Sequence, residues 1–472
     1  MNPVQVLPRV LGPWMAGAVV VGCVIGSGVF KKAHSVAENV PYSGVALGAW
    51  VLVGVLTLFG ALALAEVAVL FPRSGGNYVF LREAFGRPWA FLWGWVEFWF
   101  LRAASNAAVA SVFAESFHDL LKLVRDTDAE LLGFWPRQFV AVGVILLLGH
   151  VNARGTVLGG RLQVFITTVK VGSLLALMLL PFLVLAFVAD PRATPSTATF
   201  APLMPRDWST FNFQAFGAAM IAVMWAYNGW TNIAPIAGEV VNPSRNVPRA
   251  LIGGVFVLIA VYVGVNLSYY TILSGPEMAA HENSPVATLF CGRLLGNVGV
   301  LFISAAILTS TFGSLAGTIL VGPRGLFAMA GDGLAPRWLT GIHPRFQTPF
   351  PATIAVTVCS ALIVLGGAAY ARLANDKPAF DLITNFSIFG ATVFETLAVA
   401  TIFVFRAKRP DAERPYRCWG YPVVPALYIL AMSAVMLNML TNPEQRGEAF
   451  VGIGFMLVGA VVYAVCFGRR RA

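Results

Sequence analysis

Apolar runs of about 20 residues, the length an α-helix needs to cross a bilayer's hydrocarbon core, recur twelve times along this chain. They fall at roughly 13–34, 43–70, 88–119, 136–152, 161–189, 211–240, 249–273, 297–328, 350–369, 380–405, 421–441 and 448–467. Inside lipid every backbone N–H and C=O must be satisfied by the chain itself, so such runs fold as helices. Charged residues make up only 11% of the chain, against about 25% in soluble domains. The expectation is an all-α integral membrane protein with twelve transmembrane helices, forming a single domain over residues 1–472. No long polar linker divides it. No basic-then-apolar leader with a small-residue cleavage site opens the sequence, so the first run is expected to serve as its own insertion signal.

The net charge of +10 is a topology signal rather than a nucleic-acid footprint. With both ends on one side of twelve spans, nineteen of the 32 Lys and Arg fall on the terminal side, Arg469, Arg470 and Arg471 among them. Eleven fall on the other side, and Arg102 and Lys170 lie within spans. The positive-inside rule therefore puts both termini in the cytoplasm, as expected for a plasma (inner) membrane protein. The cysteines, at 23, 291, 359, 418 and 466, show neither a disulfide framework nor metal-ligand spacing. No metal or cofactor is expected.

Two runs are interrupted near the middle. The first carries Ile25-Gly26-Ser27-Gly28 and the sixth carries Trp225-Ala226-Tyr227-Asn228-Gly229-Trp230. A helix unwound at mid-membrane is tolerated where it lines a cavity or meets a ligand. After the first break a new helix starts near Val29. Its free N–H groups carry partial positive charge and suit a carboxylate, and the Ser27 hydroxyl adds a donor. The competing reading of Gly-Ser-Gly is a small-residue packing face. Before the second break a helix ends near Trp225 to Asn228, where freed carbonyls suit an ammonium. Together the breaks point to a zwitterion such as an amino acid. Trp225 suits a lid or a cation–π contact. If spans 1–5 and 6–10 are equivalent units, about 13–189 and 211–405, the sixth span enters from the opposite side. The units then form an inverted repeat, with about 421–467 as accessory helices.

Lys170 is the sharpest single residue. A lysine at mid-span costs about 2.5–3.5 kcal/mol even on the mild insertion scale and faces the bundle interior by default. It lies nine residues beyond Arg161, about 13 Å along a helix at ~1.5 Å per residue, too far for easy snorkelling. Arg102, Glu66, Glu97, Glu115 and Glu395 are the other charges in or near spans. Glu66 reads as a solvated span end. Glu97 and Arg102 are spaced i to i+5, which is off the ideal helical pairing. None is taken as a site residue. All five histidines fall at span ends or in loops.

Val24-Ile25-Gly26-Ser27-Gly28-Val29-Phe30 resembles the first-helix motif of the amino acid–polyamine–organocation superfamily. Ala226-Tyr227-Asn228-Gly229-Trp230, with Gly238-Glu239-Val240-Val241-Asn242-Pro243 after it, is similar to the sixth helix and following loop of the L-type amino acid transporter branch. Phe71-Pro72-Arg73-Ser74-Gly75-Gly76-Asn77-Tyr78 resembles its loop after helix 2. Gly313-Ser314 and the stretch from Arg324 to Pro336 resemble its eighth helix and loop. The resemblance implies a LeuT-like fold with a five-plus-five inverted repeat and Na⁺-independent amino acid transport. It implies that Ser27, Gly28 and Val29 hold the substrate carboxylate. It gives the ammonium to Ile25 and to the backbone of Trp225, Ala226 and Asn228, with Trp225 as gate. Lys170 would stand in for a second sodium ion, touching the first break near Gly22 and helix 8 near Ser310 and Ser314. Relatives with a glycoprotein subunit attach it through a cysteine in the external loop after helix 3. The corresponding stretch, His118 to Trp135, has no cysteine, so no disulfide-linked subunit is expected.

The expected activity is secondary transport by alternating access, with exchange of neutral L-amino acids, because no acidic side chain is evident in the pocket. The partners are the substrate and membrane lipid. Proton symport through Lys170 stays open as an alternative. A membrane-embedded hydrolase using Ser27 would need a base within reach, and Lys170 is the only conceivable one.

Overall fold

The computed structural model describes residues 7–125, 127, 129–187, 194–281, 284–374, 379–443 and 445–468. Arg469, Arg470 and Arg471 and the end of the fifth run, residues 188 and 189, lie outside the described residues. Ten described helical segments are long and apolar enough to cross a membrane. Among the described residues the only β pairing is an isolated bridge between Leu11 and Val240.

Helix α1 (Pro13–Val24) starts on Pro13, whose missing N–H is no loss in a first turn. It stops at Ile25, which is extended, and α2 (Gly28–Asn39) begins after Gly26-Ser27. Helix α3 (Ser43–Leu70) fills the second apolar run. The short α4 (Asn77–Phe85) precedes α5 (Arg87–Val96), which passes through π-helical Glu97–Ala104 into α6 (Ser105–Val124). There follow α7 (Phe134–Ala153), α8 (Thr156–Phe187) and α9 (Phe213–Tyr227). After Asn228-Gly229 a 3₁₀ segment, Trp230–Glu239, completes the sixth run. Helix α10 (Pro243–Ile272) is followed by the single-turn α11 (Gly275–Ala279). The rest are α12 (Val286–Val321), α13 (Pro323–Gly331), α14 (Phe350–Ala374), α15 (Ala379–Lys408), α16 (Val423–Thr441) and α17 (Arg446–Phe467).

Three expectations need correction. The run predicted at 297–328 is not one helix, because Pro323 starts α13 and cannot continue α12. At its other end α12 reaches back to Val286 through a bend at Gly296 (φ 58°). The stretch before the predicted run thus holds α11 and the first turns of α12, with Phe290 packed edge-on against Tyr269. Glu66 is not solvated: it is 1% exposed. Arg406 and Arg414 donate to it at 2.7 and 3.2 Å, and the Cys418 backbone N–H at 2.6 Å.

The broken first span sits at the centre, with α1 packed on α8, α10 and α12 and α2 on α9. Its most apolar window is 72% buried, against 11% for α17. Phe165, Leu183, Leu430, Leu437 and Val461 are exposed on α8, α16 and α17. Such faces suit lipid, and the molecule is a multi-pass membrane protein.

Candidate binding site between the broken helices

The two breaks meet. A Cβ added to Gly28 would lie 2.8 Å from Ala226 Cα, so only glycine permits this approach of α2 to α9. Gly229 adopts φ 100°, the left-handed region open to glycine, and this turns the chain out of α9. No side chain caps the start of α2; the N–H groups of Phe30 and Lys31 go to Ser27 O at 3.2 and 3.1 Å, and those before them have no partner within the helix.

The carbonyls freed by the first break are held by side chains from α8, α10 and α12. Lys170 Nζ donates to Gly22 O at 2.8 Å and to Ile25 O at 2.7 Å. Ser310 Oγ donates to Gly26 O at 3.0 Å and to Ile25 O at 3.3 Å, and Ser314 Oγ to Cys23 O at 3.1 Å. Lys170 is 2% exposed and makes no ion pair among the described residues. Its charge is compensated by the carbonyl end of α1, as the helix dipole favours. Tyr262 joins the breaks, its hydroxyl lying 3.2 Å from Val24 O and 3.0 Å from Ala226 O.

A cavity of about 70 Å³ lies against both breaks. Ser27, Gly28, Trp225 and Asn228 line it, together with Ser314, Arg102 and Glu395. Arg102 Nη2 donates to Glu97 Oε1 at 2.7 Å and Nη1 to Asn232 Oδ1 at 2.9 Å. The pairing of residues five apart follows from the π-helical stretch, whose i→i+5 repeat stacks them on one face. The premise that no acidic side chain reaches the pocket is therefore wrong, since Glu395 lines it. Helical spacing places Glu395 on one face of α15 with Thr392 and Thr396, a signal the sequence reading did not use.

The sequence model of the amino acid permease family matches residues 11–466. The chain is 31% identical to a serine/threonine exchanger of Bacillus subtilis over 97% of its own length and 96% of that protein. It is 30% identical to a large neutral amino acids transporter small subunit 2 of Mus musculus, covering 97% of this chain and 81% of the relative. It is 28% identical to a cystine/glutamate transporter of Homo sapiens, covering 92% and 81%.

This chain belongs to the amino acid permease family. The permease is an amino acid transporter and not an enzyme, so the hydrolase reading of Ser27 falls. Of the residues singled out for substrate, Ser27, Gly28, Trp225 and Asn228 line the cavity. Ile25, Val29 and Ala226 are buried beside it, and the Ile25 carbonyl is engaged by Lys170 and Ser310. Lys170, Gly22, Ser310 and Ser314 come together at the first break. Trp230 packs against Tyr428, ring centroids 6.2 Å apart. Sequence reasoning missed Tyr262. The only signal for it was a phenol in the middle of an apolar run, with Asn266 one turn on.

Proposed function

We propose that this permease is a Na⁺-independent exchanger of small neutral L-amino acids, with a twelve-span, LeuT-like five-plus-five inverted repeat. In this reading residues 13–189 and 211–405 form the repeats, 421–467 are accessory, and both termini are cytoplasmic in the plasma (inner) membrane. One observation carries it: the start of α2 and the end of α9 touch and face a common cavity. A helix start attracts a carboxylate and a helix end an ammonium, which is the charge pattern of an α-amino acid. Ser27, Gly28 and Val29 present the N–H groups. The carbonyl ends at Trp225, Ala226 and Asn228 take the ammonium, with a smaller share for Ile25, whose oxygen Lys170 already engages. Trp225 is the gate. Lys170, anchored to Gly22 and Ile25 and flanked by Ser310 and Ser314, holds the first break as a bound cation would. The resemblance to a serine/threonine exchanger supports exchange. The chain acts without a disulfide-linked subunit.

Counterflow into proteoliposomes with radiolabelled neutral and basic amino acids tests this. Neutral substrates should exchange, and exchange should persist without a pH or sodium gradient. Preferred uptake of arginine or lysine would sink the neutral-substrate reading. Uptake that collapses with the pH gradient would favour proton symport.

A further inference from the structure

One ionisable group on the cavity wall is not among those assigned to the zwitterion. Glu395 of α15 is 8% exposed and lines the cavity with Thr231, Asn232 and Arg102. Thr231 Oγ1 donates to Glu395 Oε1 at 3.3 Å, a long bond. The Trp230 indole is a second donor, and the Arg102 guanidinium and the Tyr428 phenol are further polar neighbours. Yet Arg102 is committed elsewhere. Its Nε and Nη2 go to Glu97 and its Nη1 goes to Asn232, and Glu395 makes no ion pair among the described residues. A buried carboxyl has room for about four hydrogen bonds, and the Thr231 and Trp230 donors leave acceptor capacity facing the cavity. A ligand bringing one more donor fills that capacity, and a ligand bringing a methyl group does not.

The same cavity, only about 70 Å³, also meets Ser27, Gly28 and Asn228 at the breaks. A short side chain on an amino acid held there is therefore the ligand group that Glu395 faces. We propose that Glu395, supported by Thr231, is a specificity-determining residue that selects small hydroxyl-bearing amino acids over aliphatic ones of the same shape. The carboxyl repels acidic side chains, and the small volume rejects long ones. The inference rests on the amino acid transport reading and names its substrate class.

The test uses isosteric pairs, because they isolate the hydroxyl from size. Full-length permease in proteoliposomes is loaded with serine, and threonine is compared with valine, and serine with alanine, as competitors of counterflow. A site built around a buried acceptor discriminates against an analogue lacking the donor by at least about tenfold, so that preference is expected for threonine over valine. Glu395→Leu should bring the threonine-to-valine ratio towards one, and Glu395→Gln should lower it less. If Glu395→Leu does not fold, Thr231→Val should shift the ratio in the same direction. A wild-type ratio near one, or a ratio unmoved in every folded variant, would overturn the proposal. So would arginine or lysine outcompeting threonine. Absence of exchange with every amino acid would sink the transport reading itself. Exchange in which the threonine-to-valine ratio is indifferent to Glu395 would sink this inference alone.

Discussion

The two interruptions do the same thing to a helix and are stabilised in different ways. At the first, three side chains from α8 and α12 reach the carbonyls of residues 22, 23, 25 and 26, and the strongest of them is a charged lysine. At the second, the chain turns on Gly229 itself, and the contact from outside is the Tyr262 hydroxyl on Ala226 O. The first break has its negative end neutralised by a resident cation, so what it offers a ligand is the positive start of α2. At the second, Trp225 O accepts from the Asn228 N–H at 3.2 Å and Ala226 O from Tyr262, so neutral donors leave its negative end for the ligand to share. A symmetric pair of breaks would offer both charges twice. This asymmetry gives the site a direction.

Removing Lys170 should separate the two breaks most sharply. Hydrogen bonds to a charged group contribute about 1.5–3 kcal/mol each, so Lys170→Ala forfeits about 3–6 kcal/mol at the first break alone. Exchange should fall by a hundredfold or more, with a lower melting temperature in detergent. Unchanged exchange would remove the role given to the lysine. Next is Gly28→Ala. The added methyl meets the Ala226 backbone at 2.8 Å, and overpacking of this kind costs about 1–3 kcal/mol. Thermal stabilisation of the purified permease by its substrate should be lost, and retention of the full shift would mean that the breaks do not need this approach. Tyr262→Phe deletes a hydroxyl that touches both interruptions. A loss of about 1–2 kcal/mol should weaken apparent substrate affinity about tenfold, since ~1.4 kcal/mol is a factor of ten. An effect equal to that of Lys170→Ala would erase the contrast. Ser314→Ala removes one neutral bond worth about 1 kcal/mol. It should lower the exchange rate less than tenfold, and a larger loss would make the serine, not the lysine, the main support.

Much of this was legible in the chain. The limits of α3 at Ser43 and Leu70 follow from Pro41 before it and Phe71-Pro72-Arg73 after it. Gly26-Ser27-Gly28 and Asn228-Gly229 mark the breaks because residues of their kind release a backbone. Lys170 stood out because an ammonium in hydrocarbon needs a reason. What stayed hidden was direction. In the sequence of α15 Asp381, Thr384, Asn385, Thr392, Glu395 and Thr396 recur at helical spacing on one face, but that periodicity says only that such a face turns inward, not that it meets the two breaks. The contacts of Tyr262 join residues 36 and 238 positions away, a closure that only the packed bundle specifies. The pairing of Glu97 with Arg102 was discounted because α-helical spacing was assumed where the chain is π-helical.

That π-helical stretch fixes more than one ion pair. In an α-helix each residue turns the chain by about 100°, and a π-turn accommodates one surplus residue in an otherwise regular helix. Everything after Glu97–Ala104 is thereby rotated relative to α5, which brings Ser105 and Val109 round to the cavity. Deleting a single position between Phe98 and Leu101 would leave a helix able to cross the membrane, but with its second half facing a different way. The azimuth of α6 is written in the count of residues, independently of which residues they are.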